Sequence, residues 1–526
     1  MRRLLTELGI AIGVLALAPA PMLAADPLPP DVADRIREYA AGVFDELGVP
    51  GAVVVVVDDE GTRFGEVFGT AEGAGGAITP QTPFRIASLS KPLTGLAARQ
   101  LVDDGTLSLD SAVVEILPWF AEANADAAAI TVLDLLAHTA GWSERDGTAA
   151  LIDASADDEA LERSVRRLAA VEGIGHGKPF EYSNASYDVL GLVIASVSGT
   201  SFETYLLEHL LEPLGMEDTY LSWNSAADEG MAQGHYPFFG VPVAYDLPFS
   251  RATLPSASMI SSGEDLGHVL TALLADGRFG GTTVLEPGAA SSMRIPLVEP
   301  FPASGYGWGW WSYPLYEAGV RVGVDGEDDA HYKAPIILEH SGSFATFASE
   351  MVLMPDAGLG IVVLTNLNDE AAPSRFYQAH IGIASILSGL EPQALTSYDD
   401  PIRQVAKPLM LVTVLLQAVG IAIAARRLRS WRRSPPIGSS TFGWRVRHLV
   451  LPLALDTAVP AAFWLLLANA SQLLPVDWVR VLVLAPDIGI ALGLITVLGI
   501  GWGVVRTVLT VIAIRPATDE ESLATT

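Results

Sequence analysis

Cysteine is absent from all 526 residues. No disulfide can brace the fold, no thiolate can act as nucleophile or metal ligand, and an exported domain must rest on its own core. Lysine is nearly absent as well, with four residues, at positions 91, 178, 333 and 407. Acidic residues outnumber Lys and Arg by 61 to 31, for a formal net charge of −30. The imbalance is uneven along the chain. Residues 26–402 hold 17 basic against 54 acidic residues, a net of −37, whereas positions from 403 onward hold 12 against 6, a net of +6. A surface so acidic repels phosphate backbones and argues against nucleic acid as a partner. No internal repeat or low-complexity segment stands out.

The basic C-terminal part is also the apolar part. Three runs, about Pro408 to Ala425, Leu449 to Ala468 and Val481 to Val505, each approach the roughly 20 residues that cross a bilayer as helix. Between the first two lie Arg426, Arg427, Arg429, Arg432, Arg433, Arg445 and Arg447, which the positive-inside rule assigns to the cytoplasm. At the other end, Arg2 and Arg3 precede a short apolar stretch, Leu8 to Ala18, and then small residues up to Ala25, the pattern of a cleaved signal peptide. Glu7 and Pro19 leave that stretch too short to span comfortably as an uncleaved anchor. The expected organisation is a signal peptide at 1–25, an ectodomain at 26–402, three transmembrane helices within 403–515 and a cytoplasmic tail at 516–526. Residues 391–407 read as the linker. The lipid bilayer is thus an expected partner, with the protein multi-pass in the cytoplasmic membrane and its main domain on the extracytoplasmic side.

Within the ectodomain, Val32, Ile36, Tyr39 and Val43 fall on one helical face. Two β-rich runs follow around the turn signal Asp58-Asp59-Glu60-Gly61. From Thr106 to about Ala275 the pattern is mostly helix and loop, and Ser262 with Asp265 suggests a capping-box variant. Strand signals return in "GYGWGWW", "PIILEHSGSFATFASEMVLMP" and "LGIVVLTNL", before a closing helix from about Ser374 to Leu387. Strands at both ends of a helical middle predict an α/β fold of the α+β type. One antiparallel sheet, built from both chain ends and flanked by helices, faces a mostly helical subdomain, with the site in the cleft between them.

One of the four lysines stands in "FRIASLSKPLTGLAARQLVDDG", three places after Ser88 and at the predicted first turn of a helix. Residues three apart on a helix are neighbours, so the Lys91 amine can lie beside the Ser88 hydroxyl. A serine needs a base to become a nucleophile, and a lysine serves once burial or a nearby cation lowers its pKa. Ser-x-x-Lys alone is commonplace. Two further patterns accompany it: Tyr182 and Asn184 in "PFEYSNASYDVLG", a phenol able to relay a proton and an amide able to hold a carbonyl, and His340, Ser341 and Gly342 in "ILEHSGSFATF". A glycine in a strand marks close approach of a backbone or ligand, and Ser343 N–H could then face an oxyanion.

The three patterns, each occurring once and in this order, resemble the serine β-lactamase and penicillin-binding-protein superfamily. The likeness is greatest to the branch of class C β-lactamases, D-alanyl-D-alanine carboxypeptidases, D-aminopeptidases and related esterases, where Tyr-x-Asn replaces Ser-Asp-Asn. It extends over about residues 30–390, through "ITVLDLLAHTAGW" and "SASMISSGEDLGHVLTALL" as well. The resemblance implies a β-lactamase/transpeptidase-like fold. It implies Ser88 as the acylated nucleophile, Lys91 and Tyr182 as the base system, Asn184 as a substrate contact and the N–H groups of Ser88 and Ser343 as the oxyanion hole. His340 opens the strand motif, where class C β-lactamases carry Lys-Thr-Gly. A histidine mostly neutral at pH 7 does not offer that permanent cation to a substrate carboxylate. His138, also matched by the branch, reads as structural, and Asp456 and Asp487 lie inside the apolar runs.

The expected function is a membrane-anchored, extracytoplasmic serine hydrolase cleaving an amide or ester through a Ser88 acyl-enzyme. D-amino-acid and cell-wall peptides are candidate substrates. Two rivals stay open: a cell-wall peptide or antibiotic sensor that acylates with little or no turnover, and a simple esterase on the same scaffold. No cluster in the sequence implies a metal or an organic cofactor.

Overall fold

The computed structural model describes residues 26–70, 77–151, 154–315, 335–369, 376, 378–392, 405–433, 441–470 and 478–513. The expected signal peptide, the cytoplasmic tail and most of the linker lie outside the described residues.

Helix α1 (Pro30–Leu47) opens on a proline, whose fixed φ suits the first turn, and ends at Gly48 in the left-handed region with φ 69°. Its buried stripe is Ile36, Ala40, Val43, Phe44 and Leu47. Strand β1 (Gly51–Val57) is buried along its whole length, which its valine run requires, because both faces are covered. Val53, Val55 and Val57 enter one core, and Ala52, Val54 and Val56 enter the other. The Asp58 carboxylate accepts from Glu60 N–H at 2.8 Å and Gly61 N–H at 3.1 Å, turning the chain into β2 (Thr62–Gly69).

The remaining strands of this sheet come late in the chain: β3 (Val298–Phe301), β4 (Ser304–Gly307), β5 (Trp310–Pro314), β6 (Ile336–Phe344), β7 (Phe347–Met354) and β8 (Leu359–Thr365). They assemble in the order β2-β1-β8-β7-β6-β5-β4-β3. The pairing of β1 with β8, antiparallel with Val54 opposite Val363, joins the early and late strands of the domain one strand in from the β2 edge of the sheet. One face packs on α1 and α5 (Gln378–Leu387), and the other on the helical subdomain. That subdomain includes α2 (Ser90–Asp103), α3 (Asn184–Ser198) and α4 (Gly263–Leu274).

Two local expectations need correction. Ser262 caps α4 by accepting from Asp265 N–H, but the Asp265 carboxylate turns to Asp218 N–H (2.9 Å) and the Thr219 hydroxyl (2.7 Å). A tertiary contact thus takes the group that would have closed the box. The stretch read as helix and loop also contains a hairpin, His235–Phe238 with Val241–Ala244, turned at Phe239 and Gly240, both at positive φ.

Three C-terminal helices are long and apolar enough to cross a membrane: Lys407–Trp431 within α6 (Lys407–Arg433), α7 (Phe442–Leu466) and α9 (Pro486–Ala513). The third begins later than its apolar run. Val481 belongs to a separate short helix, α8 (Trp478–Leu484), because Pro486 disfavours helical backbone at Ala485, which sits at φ −139°. Asp456 pairs with Arg506 at 2.6 Å between helices. Asp487, in the first turn of α9, reaches the other part of the molecule. It accepts from the Tyr236 hydroxyl at 2.6 Å and Phe239 N–H at 3.1 Å, and pairs with Lys407 at 3.1 Å. Lys407 in turn holds Asp369, just past β8, at 3.1 Å.

Candidate active site

Ser88 sits in a single 3-10 turn, Ala87–Leu89, that runs straight into α2, at the N-terminal end where its spacing puts it. Ala87 has φ 46°, a strained value for a residue with a side chain. The Ser90 hydroxyl fixes this corner by donating to Ala87 O at 2.8 Å and accepting from Met259 N–H at 3.2 Å. In a 3-10 turn residues three apart come almost into register, so the junction directs the Lys91 amine onto Ser88. The Lys91 Nζ lies 3.1 Å from Ser88 Oγ, 2.6 Å from Asn184 Oδ1 and 2.9 Å from Ser256 O.

Lys91 is fully buried, and burial pulls its pKa down to about 7, with the charges of Asp188 and Glu144 pushing weakly the other way. Asp188, on α3, is pushed up to about 8 by the same burial. Both groups are driven towards their neutral forms. A neutral amine is what proton abstraction needs.

Tyr182 and Asn184 flank Ser183, the N-cap of α3, whose hydroxyl accepts from Ala185 N–H at 3.3 Å and donates to Ser143 O at 2.8 Å. With Asn184 Oδ1 facing Lys91, its amide NH2 is the end left to hold a carbonyl. The Tyr182 ring centroid is 4.7 Å from Lys91 Nζ. His138, buried and at φ 54°, accepts from Ser183 N–H at Nδ1 (3.2 Å). That leaves the proton on Nε2, which donates to the Tyr306 hydroxyl at 3.1 Å. The His138 ring packs 4.7 Å from that of Tyr182, so it sets the position of the Tyr182 loop.

The His340 to Ser343 segment lies on β6. His340 Nδ1 faces Ser341 O at 2.8 Å and therefore carries the ring proton, leaving Nε2 to accept from the Tyr182 hydroxyl at 3.4 Å. Burial, with the charge of Lys91 acting in the same direction, pulls His340 down to about 3, so this ring is neutral throughout the physiological range. At Gly342 a Cβ atom would collide with Ile86 O and Ser349 Oγ, so glycine lets the strand close against the serine turn. Ser349, opposite Gly342 in the β6–β7 register, donates to Ile86 O at 2.7 Å. Asn368 Nδ2 donates to Ser343 Oγ (2.8 Å) and Phe344 O (2.9 Å).

A third element closes the site. The β4–β5 hairpin turns on Trp308 and Gly309, both at positive φ, as a two-residue turn of this handedness requires. Side chains added at Gly309 or Gly95 would strike the Lys91–Pro92 backbone or Trp308 O respectively, so the hairpin tip rests directly on the lysine turn.

The structure therefore brings Ser88, Lys91, Tyr182, Asn184 and His340 into one constellation, with Ser341, Gly342 and Ser343 along its edge. Ser256, Tyr306, Ser349 and Asn368 were not foreseen. Only Tyr306 carried a usable signal, as the aromatic of a glycine-rich strand.

A family profile described as Beta-lactamase matches residues 32–383. Protein flp of Staphylococcus aureus (strain MW2) is 29% identical over 429 residues, covering 77% of this chain and 78% of its own. Among solved structures, an octameric penicillin-binding protein homologue from Pyrococcus abyssi superposes with a TM-score of 0.57 at 23% identity, over 72% of this chain and 81% of that one. EstCE1, a hydrolase with promiscuous acyltransferase activity, superposes with a TM-score of 0.56 at 24% identity, over 68% and 98%.

Proposed function

The chain belongs to the beta-lactamase family, and from that premise we propose that it is a membrane-anchored serine hydrolase acting through an acyl-enzyme on Ser88. The observation that carries this is the fully buried Lys91 amine 3.1 Å from the Ser88 hydroxyl. Neutral Lys91 accepts the Ser88 proton as Oγ attacks the carbonyl carbon of an amide or ester. The oxyanion is held by the N–H groups of Ser88 and Ser343, and the Asn184 amide holds a substrate carbonyl. When the carbon–nitrogen or carbon–oxygen bond breaks, the proton passes from Lys91 through the Tyr182 phenol to the leaving group. A water then gives its proton to the same pair and attacks the acyl carbonyl, releasing the acid and restoring Ser88.

His340 narrows the substrate. A neutral ring that accepts from Tyr182 supplies no cation for a carboxylate, so esters and amides without a carboxylate at that position fit better than penicillins. An aromatic rim, exposed Phe301 stacked on half-buried Trp311 with half-buried Phe180 beside them, favours an apolar acyl or leaving group. This rim supports the esterase reading over a D-amino-acid peptidase.

Anchoring belongs to the same proposal. Lys407 and Asp487 hold one end of the apolar helices against the catalytic domain, while Arg426 to Arg433 lie at the far end of α6. If the arginine end is cytoplasmic, the cleft is extracytoplasmic. Val483 and Leu484 of α8 pack on the cluster containing Ala87, Tyr236 and Phe344, next to the nucleophile, so the cleft lies close to the membrane surface. A fluorophosphonate should label Ser88 in peptide mapping, and label retained after Ser88→Ala would refute the assignment. Repeated turnover of p-nitrophenyl butyrate, compared with D-alanine amides and nitrocefin, separates an esterase from a peptidase. A single stoichiometric burst on all three would mark a sensor.

A further inference from the structure

Behind the catalytic edge, on the opposite face of the sheet, three ionisable side chains meet in an otherwise apolar layer. Glu339 of β6, Glu350 of β7 and His380 of α5 are 7%, 2% and 1% exposed, among neighbours such as Ala348, Val352, Ile361 and Ile383. One candidate ligand atom from each lies within 4.8 Å of the others. Neither Glu350 oxygen and neither His380 ring nitrogen has a hydrogen-bond partner. Buried polar groups in folded proteins are nearly always satisfied, so four orphaned atoms in one place need an explanation.

We propose that Glu339, Glu350 and His380 form a structural site for a divalent cation of the zinc type, tying α5 to the two strands that carry the catalytic edge. His380 Nδ1 stands 3.3 Å from Glu350 Oε2 without making a hydrogen bond. Two ligand atoms on a tetrahedral zinc with bonds of about 2.0–2.1 Å are about 3.3–3.4 Å apart, so this contact has the length of one edge of the coordination tetrahedron. One imidazole and two carboxylates form a donor set zinc accepts, with water able to complete four-coordination. The Tyr313 hydroxyl donates to Glu339 Oε2, the kind of outer contact that orients a carboxylate ligand. Without a cation Glu350 and His380 are costly to bury. Burial, and then the charge of Glu339, drives the Glu350 carboxyl well above its ordinary range, and burial pulls His380 down to about 3. Glu350 pairs directly with Ser341, and Met351 with His340, so the ion would lie one strand thickness behind His340. The ligands are 11 and 30 positions apart in sequence, which hides the site from spacing rules.

The test uses the full chain in detergent, stripped with EDTA and then offered zinc, manganese or calcium. The expected result is one zinc per chain by elemental analysis and a rise in Tm of about 5 °C at saturating zinc. Both should be lost in Glu350→Gln/His380→Asn. Zinc content unchanged in that double variant, or no Tm response to any of the three ions, overturns the site. Should the variant fail to fold, cobalt added to the stripped wild-type chain decides. Intense visible bands at one equivalent support a tetrahedral nitrogen and oxygen site, and a spectrum like that of aqueous cobalt overturns it.

Discussion

Lys91 combines two properties that are separable by mutation, its reach to Ser88 and its lowered pKa. Lys91→Met keeps the length and removes the base, and kcat/KM for an ester should fall by about 10²–10⁴ with KM little changed. Stopped-flow acylation measures it directly. The sign of the pH dependence follows from the form required. Lys91 must be neutral and its pKa is about 7, so kcat/KM should rise as pH increases through about 7 and level off above it. His340, held near 3, adds no second limb between pH 5 and 9. Asp188, pushed up to about 8, is mostly protonated where Lys91 titrates, so Asp188→Asn should leave the rising limb near pH 7. A limb that moves clearly down in that variant would mean that Asp188 is ionised beside Lys91, and one that moves clearly up would mean that another group is titrating.

At the scale of elements, the site is a meeting of three backbones: the serine turn, β6 and the β4–β5 hairpin tip. Each junction excludes a Cβ atom, at Gly342, Gly95 and Gly309. Gly342→Ala should force β6 away from Ile86, costing about 1–3 kcal/mol of stability by overpacking. Activity should suffer more, because a shift of about 1 Å in a catalytic group can cost about 10²-fold. Thermal melts and ester hydrolysis on the same preparation test this, and an active variant with unchanged Tm would show that the strand has room to spare. These junctions also separate what was legible in the sequence from what was not. Ser88 with Lys91, and Tyr182 with Asn184, share a turn or a cap, so local spacing exposes them. His340 was found through its glycine, which marks the close approach that the structure contains. Ser256, Ser349 and the Glu339, Glu350 and His380 cluster arise from long-range packing and strand register, which no short window contains. Asp265 was misread for the same reason, since a distant threonine claimed the carboxylate that the capping pattern had assigned locally.

Across the whole molecule, the three apolar helices are joined to the main domain by a buried ionic contact. Lys407, at the start of α6, is buried between Asp369 of the beta-lactamase-family domain and Asp487 of α9, and Asp487 also takes the Tyr236 hydroxyl. Tyr236 shares a cluster with Ala87, the residue before Ser88, and with Val483 and Leu484. A single anchoring helix could not make this joint, because its ion pair needs the beginnings of two helices. Lys407→Met removes the shared cation from two buried carboxylates, a change that costs about 3–5 kcal/mol where the pair is fully desolvated. Lys407→Met/Asp487→Asn leaves one carboxylate fewer to compensate and should be the milder variant. The joint loosens while Ser88 and Lys91 keep their own contacts, so hydrolysis of a water-soluble ester should stay within about twofold of wild type. Hydrolysis of an ester embedded in a bilayer depends on holding the cleft at that surface, and for Lys407→Met in nanodiscs it should drop roughly tenfold. Equal losses on both substrates would mean that the joint supports the fold alone, and no loss on either would mean that the helices anchor without orienting.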